Sequence, residues 1–146
     1  MSIVTDIKES LKAYDDNAVV SFGRPLDNAA KSFQKEINSY LICIDPPTVT
    51  GGFIDSNETK SVSISWLKLD DADSEADKEM NEADIESMEE IVDDCETKAK
   101  DWLQQFKYEQ RKKYSIDSFS GFPAFRVKHM VTGFVLTFPI SYRQSC

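Results

Sequence analysis

The chain is poor in the residues from which most catalytic and metal sites are built. Its 146 residues include one histidine, His129, and three cysteines, Cys43, Cys95 and Cys146. A Ser-His-Asp or Cys-His arrangement would have to use His129, and neither a GxSxG elbow nor a flanking nucleophile pattern accompanies it. The cysteines are far apart, odd in number and outside any CxxC spacing, which argues against a disulfide framework or a zinc cluster. They read as reduced thiols, with Cys95 a small buried hydrophobe and Cys146 terminal and exposed. No GxxxxGK[ST] or GxGxxG motif is present, which removes the usual phosphate-cradling loops. No stretch reaches the ~18 apolar residues of a spanning helix, and Asp6, Lys8 and Glu9 fall where a signal peptide needs an apolar run. Secretion and membrane insertion are therefore not expected.

Positive charge is also scarce. Seventeen basic residues face 26 acidic ones, a formal charge of −9. The surface as a whole should repel nucleic acid and anionic membranes rather than hold them. What the chain does have is enough apolar material to fold: 40% of residues are hydrophobic and 11% aromatic, with an ordinary load of five glycines and five prolines. At this length one core suffices, so residues 1–146 read as a single domain.

Apolar spacing places the elements. Ile3, Val4, Ile7, Leu11 and Tyr14 recur at helical intervals, giving a short amphipathic helix over Ser2 to Asp15. Val19 to Phe22 and Tyr40 to Ile44 are β-prone runs, each stopped by proline-containing segments. Residues 45–59, with Gly51-Gly52, read as a loop. From Lys60 to Leu69, Val62, Ile64 and Trp66 alternate with Ser61, Ser63 and Ser65, the pattern of a strand with one buried and one small polar face. It should pair antiparallel with the run at Tyr40. Tyr114 begins another β-prone stretch, with a turn expected at Ser120-Gly121. In the last segment Phe134, Leu136, Phe138, Ile140 and Tyr142 share one face of a strand. Pro139 points to an edge position or a local break in pairing.

Between these strands lies the strongest local bias in the chain. Asp70 to Glu96 holds fourteen acidic residues and one basic residue, Lys78. Residues 70–84 read as an acidic loop leading into a helix. Ile85, Met88, Val92, Cys95, Ala99, Trp102 and Phe106 then form one apolar seam. The charge reverses toward Lys107, Arg111, Lys112 and Lys113, so both ends complement the helix dipole. The order of elements, without βαβ alternation, gives an α+β fold: an antiparallel sheet packed against a long amphipathic helix plus a short N-terminal helix.

Each candidate site has a plainer reading that outweighs it. Asp71, Asp73, Glu75, Asp77, Glu79 and Glu82 occupy the ligand positions of a calcium loop, but its obligatory glycine is Ala76 and its usual apolar position is Lys78. The seam has heptad spacing, yet Cys95, Ala99 and Trp102 suit packing on a sheet better than a coiled coil. Arg111-Lys112-Lys113 beside Tyr108 and Tyr114 reads as a solvated helix end. No catalytic residue, cofactor or metal is expected, and the chain does not read as an enzyme.

Four features together resemble the small neck and tail-terminator proteins of tailed bacteriophages and the ring proteins of crAss-like phages. They are the N-terminal amphipathic helix, the long-loop strand pair from Tyr40 to Leu69, the helix ending Cys95-Glu-Thr-Lys-Ala-Lys-Asp-Trp-Leu-Gln-Gln-Phe106, and the closing run from His129 to Ile140. The resemblance implies a structural virion protein, made in the host cytoplasm and assembled as a ring of about twelve copies between portal and tail proteins, with DNA only as passing cargo. On that reading Asp70, Asp71, Asp73, Glu75 and Asp77 face the channel, where negative charge keeps DNA from adhering. A small acidic inhibitor that mimics DNA and binds a host protein is the alternative.

Overall fold

The computed structural model describes residues 3–22, 40–50, 59–69, 82–124 and 131–142. The first helix, α1 (Ile3–Tyr14), buries Ile3, Ile7 and Leu11, which lie one turn apart on one face. It stops at Asp15, whose amide still bonds to the Leu11 carbonyl at 3.0 Å while its Oδ1 accepts the Asn17 amide at 3.0 Å. That side-chain bond offers the backbone a turn in place of a further helical residue.

The strands are β1 (Val19–Phe22), β2 (Tyr40–Ile44), β3 (Thr48–Thr50), β4 (Thr59–Leu69), β5 (Tyr114–Ser115), β6 (Ser120–Ala124) and β7 (Val131–Tyr142). They form one sheet in the order β1-β2-β4-β7-β5, with β3 also on β4 and β6 also on β7. The long pair β4–β7 is its spine, eleven residues in register from Thr59 opposite Ser141 to Leu69 opposite Val131. β2 and β4 are antiparallel, as expected of two strands joined by a glycine-containing connection.

Three expectations need correction. β1 and β2 are parallel, so one edge of the sheet departs from the all-antiparallel arrangement; parallel neighbours need a crossover, and residues 23–39 separate them. Within the stretch read as a loop, residues 45–59, Thr48–Thr50 pairs with β4, and Thr59 already belongs to β4. Two β-branched threonines around Val49 satisfy the end of β4 that extends beyond β2. The turn expected at Ser120-Gly121 is instead the start of β6, with Ser120 opposite Thr137 and Gly121 opposite Leu136. A Cβ at position 121 would stand 2.2 Å from Cζ of Phe134, so any larger residue there requires that ring to move.

Pro139 realises the second of its two readings. It lies opposite Ser61 in β4. On the other side of β7 it falls in the gap where pairing with β6 has ended at Thr137 and pairing with β5 resumes at Ser141. A residue without an amide hydrogen is tolerated at such a gap.

One helix crosses the sheet, α2 (Glu82–Glu109), 28 residues uninterrupted by glycine or proline. Both helices lie on the same face. Their apolar seams and the inward rows Val62, Ile64, Trp66 and Phe134, Leu136, Phe138, Ile140 merge into one core. Aromatic rings link its layers: Trp102 lies 5.1 Å from Phe106, 6.1 Å from Phe138 and 6.2 Å from Trp66. Burying each such side chain contributes about 1.5–3 kcal/mol, which makes this cluster the main source of stability. The opposite sheet face is built differently. Ser61, Ser63 and Ser65 of β4 and Val135, Thr137, Pro139 and Ser141 of β7 are half-buried, and Ser63 Oγ and Thr137 Oγ1 are hydrogen-bonded at 2.9 Å.

Candidate functional surfaces

Sequence periodicity commits one side of α2 to the core and thereby fixes what the other side presents. Met88, Val92, Cys95, Ala99, Trp102 and Phe106 are buried, together with Leu103. The side chain of Ile85, the first seam residue, lies outside the described residues. Glu89, Glu90, Asp93 and Asp101 are exposed on the outer side, with Glu96 and Asp94 half-buried beside them. Lys100 pairs with Glu96 at 3.0 Å, an i,i+4 bridge open to solvent.

Toward the carboxyl end the outer face turns basic. Lys107, Arg111 and Lys112 are exposed, and the Arg111 guanidinium lies 4.2 Å from the Tyr108 ring centre while Nη1 donates to the Tyr108 carbonyl at 2.7 Å. Both contacts turn Arg111 back onto its own helix end, where a cation complements the unsatisfied carbonyls. This is the solvated helix terminus that the sequence suggests.

The charged groups that do enter the interior tie the helices together. Asp6 is 6% exposed, and its Oδ2 accepts hydrogen bonds from Lys113 Nζ at 2.7 Å and from the Tyr114 hydroxyl. Burial pushes the Asp6 carboxyl upward, but the two hydrogen bonds and the Lys113 charge outweigh it and hold the group below the usual 3.8. Ser10 Oγ accepts from Trp102 Nε1 at 3.0 Å, and Tyr14 donates to Asp101 at 2.7 Å. Asp6, Ser10 and Tyr14 are each four residues apart, so a single stripe of α1 makes all three ties.

A fourth tie joins α2 to the sheet, where the Tyr40 hydroxyl donates to Asp94 and Lys68 Nζ sits 5.8 Å from the Tyr40 ring centre. Burial first, and then the neighbouring carboxylate, raise the phenols of Tyr14, Tyr40 and Tyr114. All three remain donors at neutral pH.

Cys43 and Cys95 are buried free thiols, pushed up to about 11 and about 12 chiefly by desolvation. They are neutral at physiological pH and poor nucleophiles. Among the described residues no group of three or more His, Cys, Asp or Glu side chains could hold a metal ion. No described helix is long and apolar enough to cross a membrane. Asp70, Asp71, Asp73, Glu75, Asp77 and Glu79, His129 and Cys146 lie outside the described residues, and of the calcium-like spacing only Glu82, the first residue of α2, lies within them.

Two features escaped the sequence reading. The Asp6 tie had a signal, a carboxylate set between Ile3 and Ile7 on the apolar side of a short helix. The second is a set of large apolar residues left exposed near one edge of the sheet: Phe119, Phe122 and Tyr142 are 50%, 57% and 48% exposed. Nothing in their local spacing announces this, because exposure there depends on how β6 and β5 end the sheet.

No protein-family model matches the chain, and no curated protein matches it with significant similarity.

Proposed function

We propose that the chain is a non-enzymatic structural subunit of a tailed-phage virion, assembling with copies of itself, about a dozen, into a ring of the head-to-tail connector or tail barrel through which DNA passes. The observation that carries this reading is the two-sided character of α2. One side is locked into the core by Trp102 and Phe106, and the other presents Glu89, Glu90, Asp93 and Asp101 to solvent. A 28-residue helix is about 42 Å long, enough to form a stave of a channel wall. The carboxylates concentrated on its amino-terminal half repel phosphate, so DNA slides past that part of the wall, whereas a wall basic throughout would retain DNA through counterion release. The order of elements that resembles the phage ring proteins points the same way.

Mass spectrometry of purified particles of the encoding phage, combined with cryo-electron microscopy of neck and tail, tests the proposal. The expected result is a closed ring with α2 lining the passage; absence from particles overturns it. The acidic row also favours one second reading, a small inhibitor that mimics the charge of DNA. That reading requires stable, salt-sensitive capture of a basic DNA-binding protein by the free chain, lost when Glu89, Glu90 and Asp93 are changed to glutamine.

A further inference from the structure

Both tryptophans of the chain are fully buried, and both lie against the first helix. Trp102 Nε1 donates to Ser10 Oγ of α1 at 3.0 Å. Trp66 Nε1 has no hydrogen-bond partner among the described residues, and one of the rings set against its indole is Tyr14 of α1, 5.9 Å between centres and nearly perpendicular at 79°. An aromatic ring accepts a hydrogen bond only weakly. A buried N–H left unpaired carries its full desolvation cost, and contact with water removes that cost. The docked position of α1 is therefore penalised at Trp66 in a way that an undocked position is not.

Side chains alone hold α1 in place: among the described residues no backbone hydrogen bond joins it to another element. Its apolar attachment is Ile3, Ile7 and Leu11, and its polar attachment is the stripe Asp6, Ser10 and Tyr14. Water replaces partners of that stripe readily when the helix lifts, because the Tyr14–Asp101 bond is already exposed and the Lys113 side chain on Asp6 is 39% exposed. Ordering twelve residues opposes docking as well. The spine of the sheet is a different case, since β4 and β7 share eleven paired residues and parting them breaks the ladder along its whole length. The junction beyond α1 permits movement. Asp15 Oδ1 accepts the Asn17 amide at 3.0 Å, and the Asp15 carbonyl accepts the Ala18 amide at 3.2 Å. The turn into β1 is closed by bonds between its own residues and keeps its form whether α1 is docked or not.

We propose that α1 is a clasp that swings off α2 and β4 as one body while α2 and the sheet remain folded. Opening takes Ser10 from Trp102 and Tyr14 from Trp66 in a single movement, so both indoles reach water together although they belong to different elements. Sub-global openings of this kind have free energies below that of global unfolding. The clasp belongs to the fold of the single chain and holds whether or not the chain enters a connector ring.

Hydrogen exchange of the full chain at neutral pH, read residue by residue by nuclear magnetic resonance, tests this. The amides of α1 and both indole N–H groups should share one protection factor, at least about tenfold below that of the β4 and β7 amides, with a weaker dependence on urea. Ser10→Ala should speed exchange of the Trp66 indole about fivefold, the effect of one lost hydrogen bond, although that N–H is not bonded to Ser10. Gly121→Ala, in β6, should speed exchange in β4 and β7 and leave α1 and the indoles unchanged, because the open state retains the sheet. Two results overturn the clasp. One is a pair of indoles as protected as β4 and β7 while the α1 amides exchange quickly, which is fraying of the helix without its departure. The other is a common response of α1, indoles and sheet to Gly121→Ala, which means that α1 leaves only when the whole fold does.

Discussion

The Tyr114 hydroxyl donates a hydrogen bond to the Asp6 carboxylate, joining the first turns of the first helix to a strand 108 positions later in sequence. Lys113 approaches the same oxygen, so one buried carboxylate gathers a cation and a phenol from the turn that follows α2. Hydrogen bonds to a charged group are worth about 1.5–3 kcal/mol each when their loss leaves a partner stranded. Asp6→Asn should therefore lower stability by about 2 kcal/mol at pH 7. Because the folded carboxyl lies below its ordinary value, its contribution is complete above the unfolded value and disappears as pH falls through the folded one. The difference in Tm between wild type and Asp6→Asn should be constant from pH 5 to 7, within the range given by ordinary carboxyl behaviour, and should shrink below about pH 4.

Gly133 lies opposite Leu67 in the β4–β7 pair. A Cβ at that position would stand 1.9 Å from the Trp66 carbonyl oxygen and 2.8 Å from the Leu67 Cα, both backbone atoms of the paired strand. Gly133→Ala should cost about 3 kcal/mol or more in urea unfolding, since the spine of the sheet has to separate. Gly121→Ala meets mainly the Phe134 ring, which can rotate or shift, so its cost should be clearly smaller.

Trp66 and Trp102 are both fully buried, yet their indole nitrogens differ. Trp102 Nε1 donates to Ser10 Oγ at 3.0 Å, whereas Trp66 Nε1 has no hydrogen-bond partner among the described residues. Replacing either by phenylalanine removes similar volume, but only Trp102→Phe breaks a bond. Chemical denaturation should show Trp102→Phe to be the more damaging by about 1 kcal/mol, and Ser10→Ala should reproduce that difference alone.

Cys43 and Cys95 should resist modification. With thiols raised to about 11 and about 12, the thiolate fraction at pH 8 is very small, and both side chains are buried. A chromogenic disulfide reagent should leave them unreacted in the native protein and label them promptly in denaturant. Fast native labelling of either would show that the sheet or the α2 seam opens.

The legible parts of this fold are those whose residues repeat a period over a long stretch. β4 alternates from Ser61 to Trp66 and β7 from Phe134 to Ser141, and the α2 seam holds its spacing for five turns, so local pattern and tertiary burial agree there. Short pieces were not legible. β3 and β6 have three and five residues, too few to show a period, and they become strands because β4 and β7 offer unsatisfied ladder groups beside them. The direction of β1 was hidden for a related reason: four residues look alike whether paired parallel or antiparallel. The acidic bias was visible, but Glu89, Glu90, Asp93 and Asp101 can be assigned to the outer face only once the seam is placed.

One of the two long strands that form the spine of the sheet, β7, is also the last among the described residues. β7 lies between β4 and the short strands β5 and β6, and it supplies Phe134, Leu136, Phe138 and Ile140 to the core. α1 finds its partners Asp101, Trp102, Lys113 and Tyr114 only 87 to 108 positions later in sequence. No early portion can close on itself, because each lacks either its spine or the surface on which it rests. The acidic surplus, a net charge of −9, keeps so incomplete a polymer extended and apart from its siblings until β7 is in place.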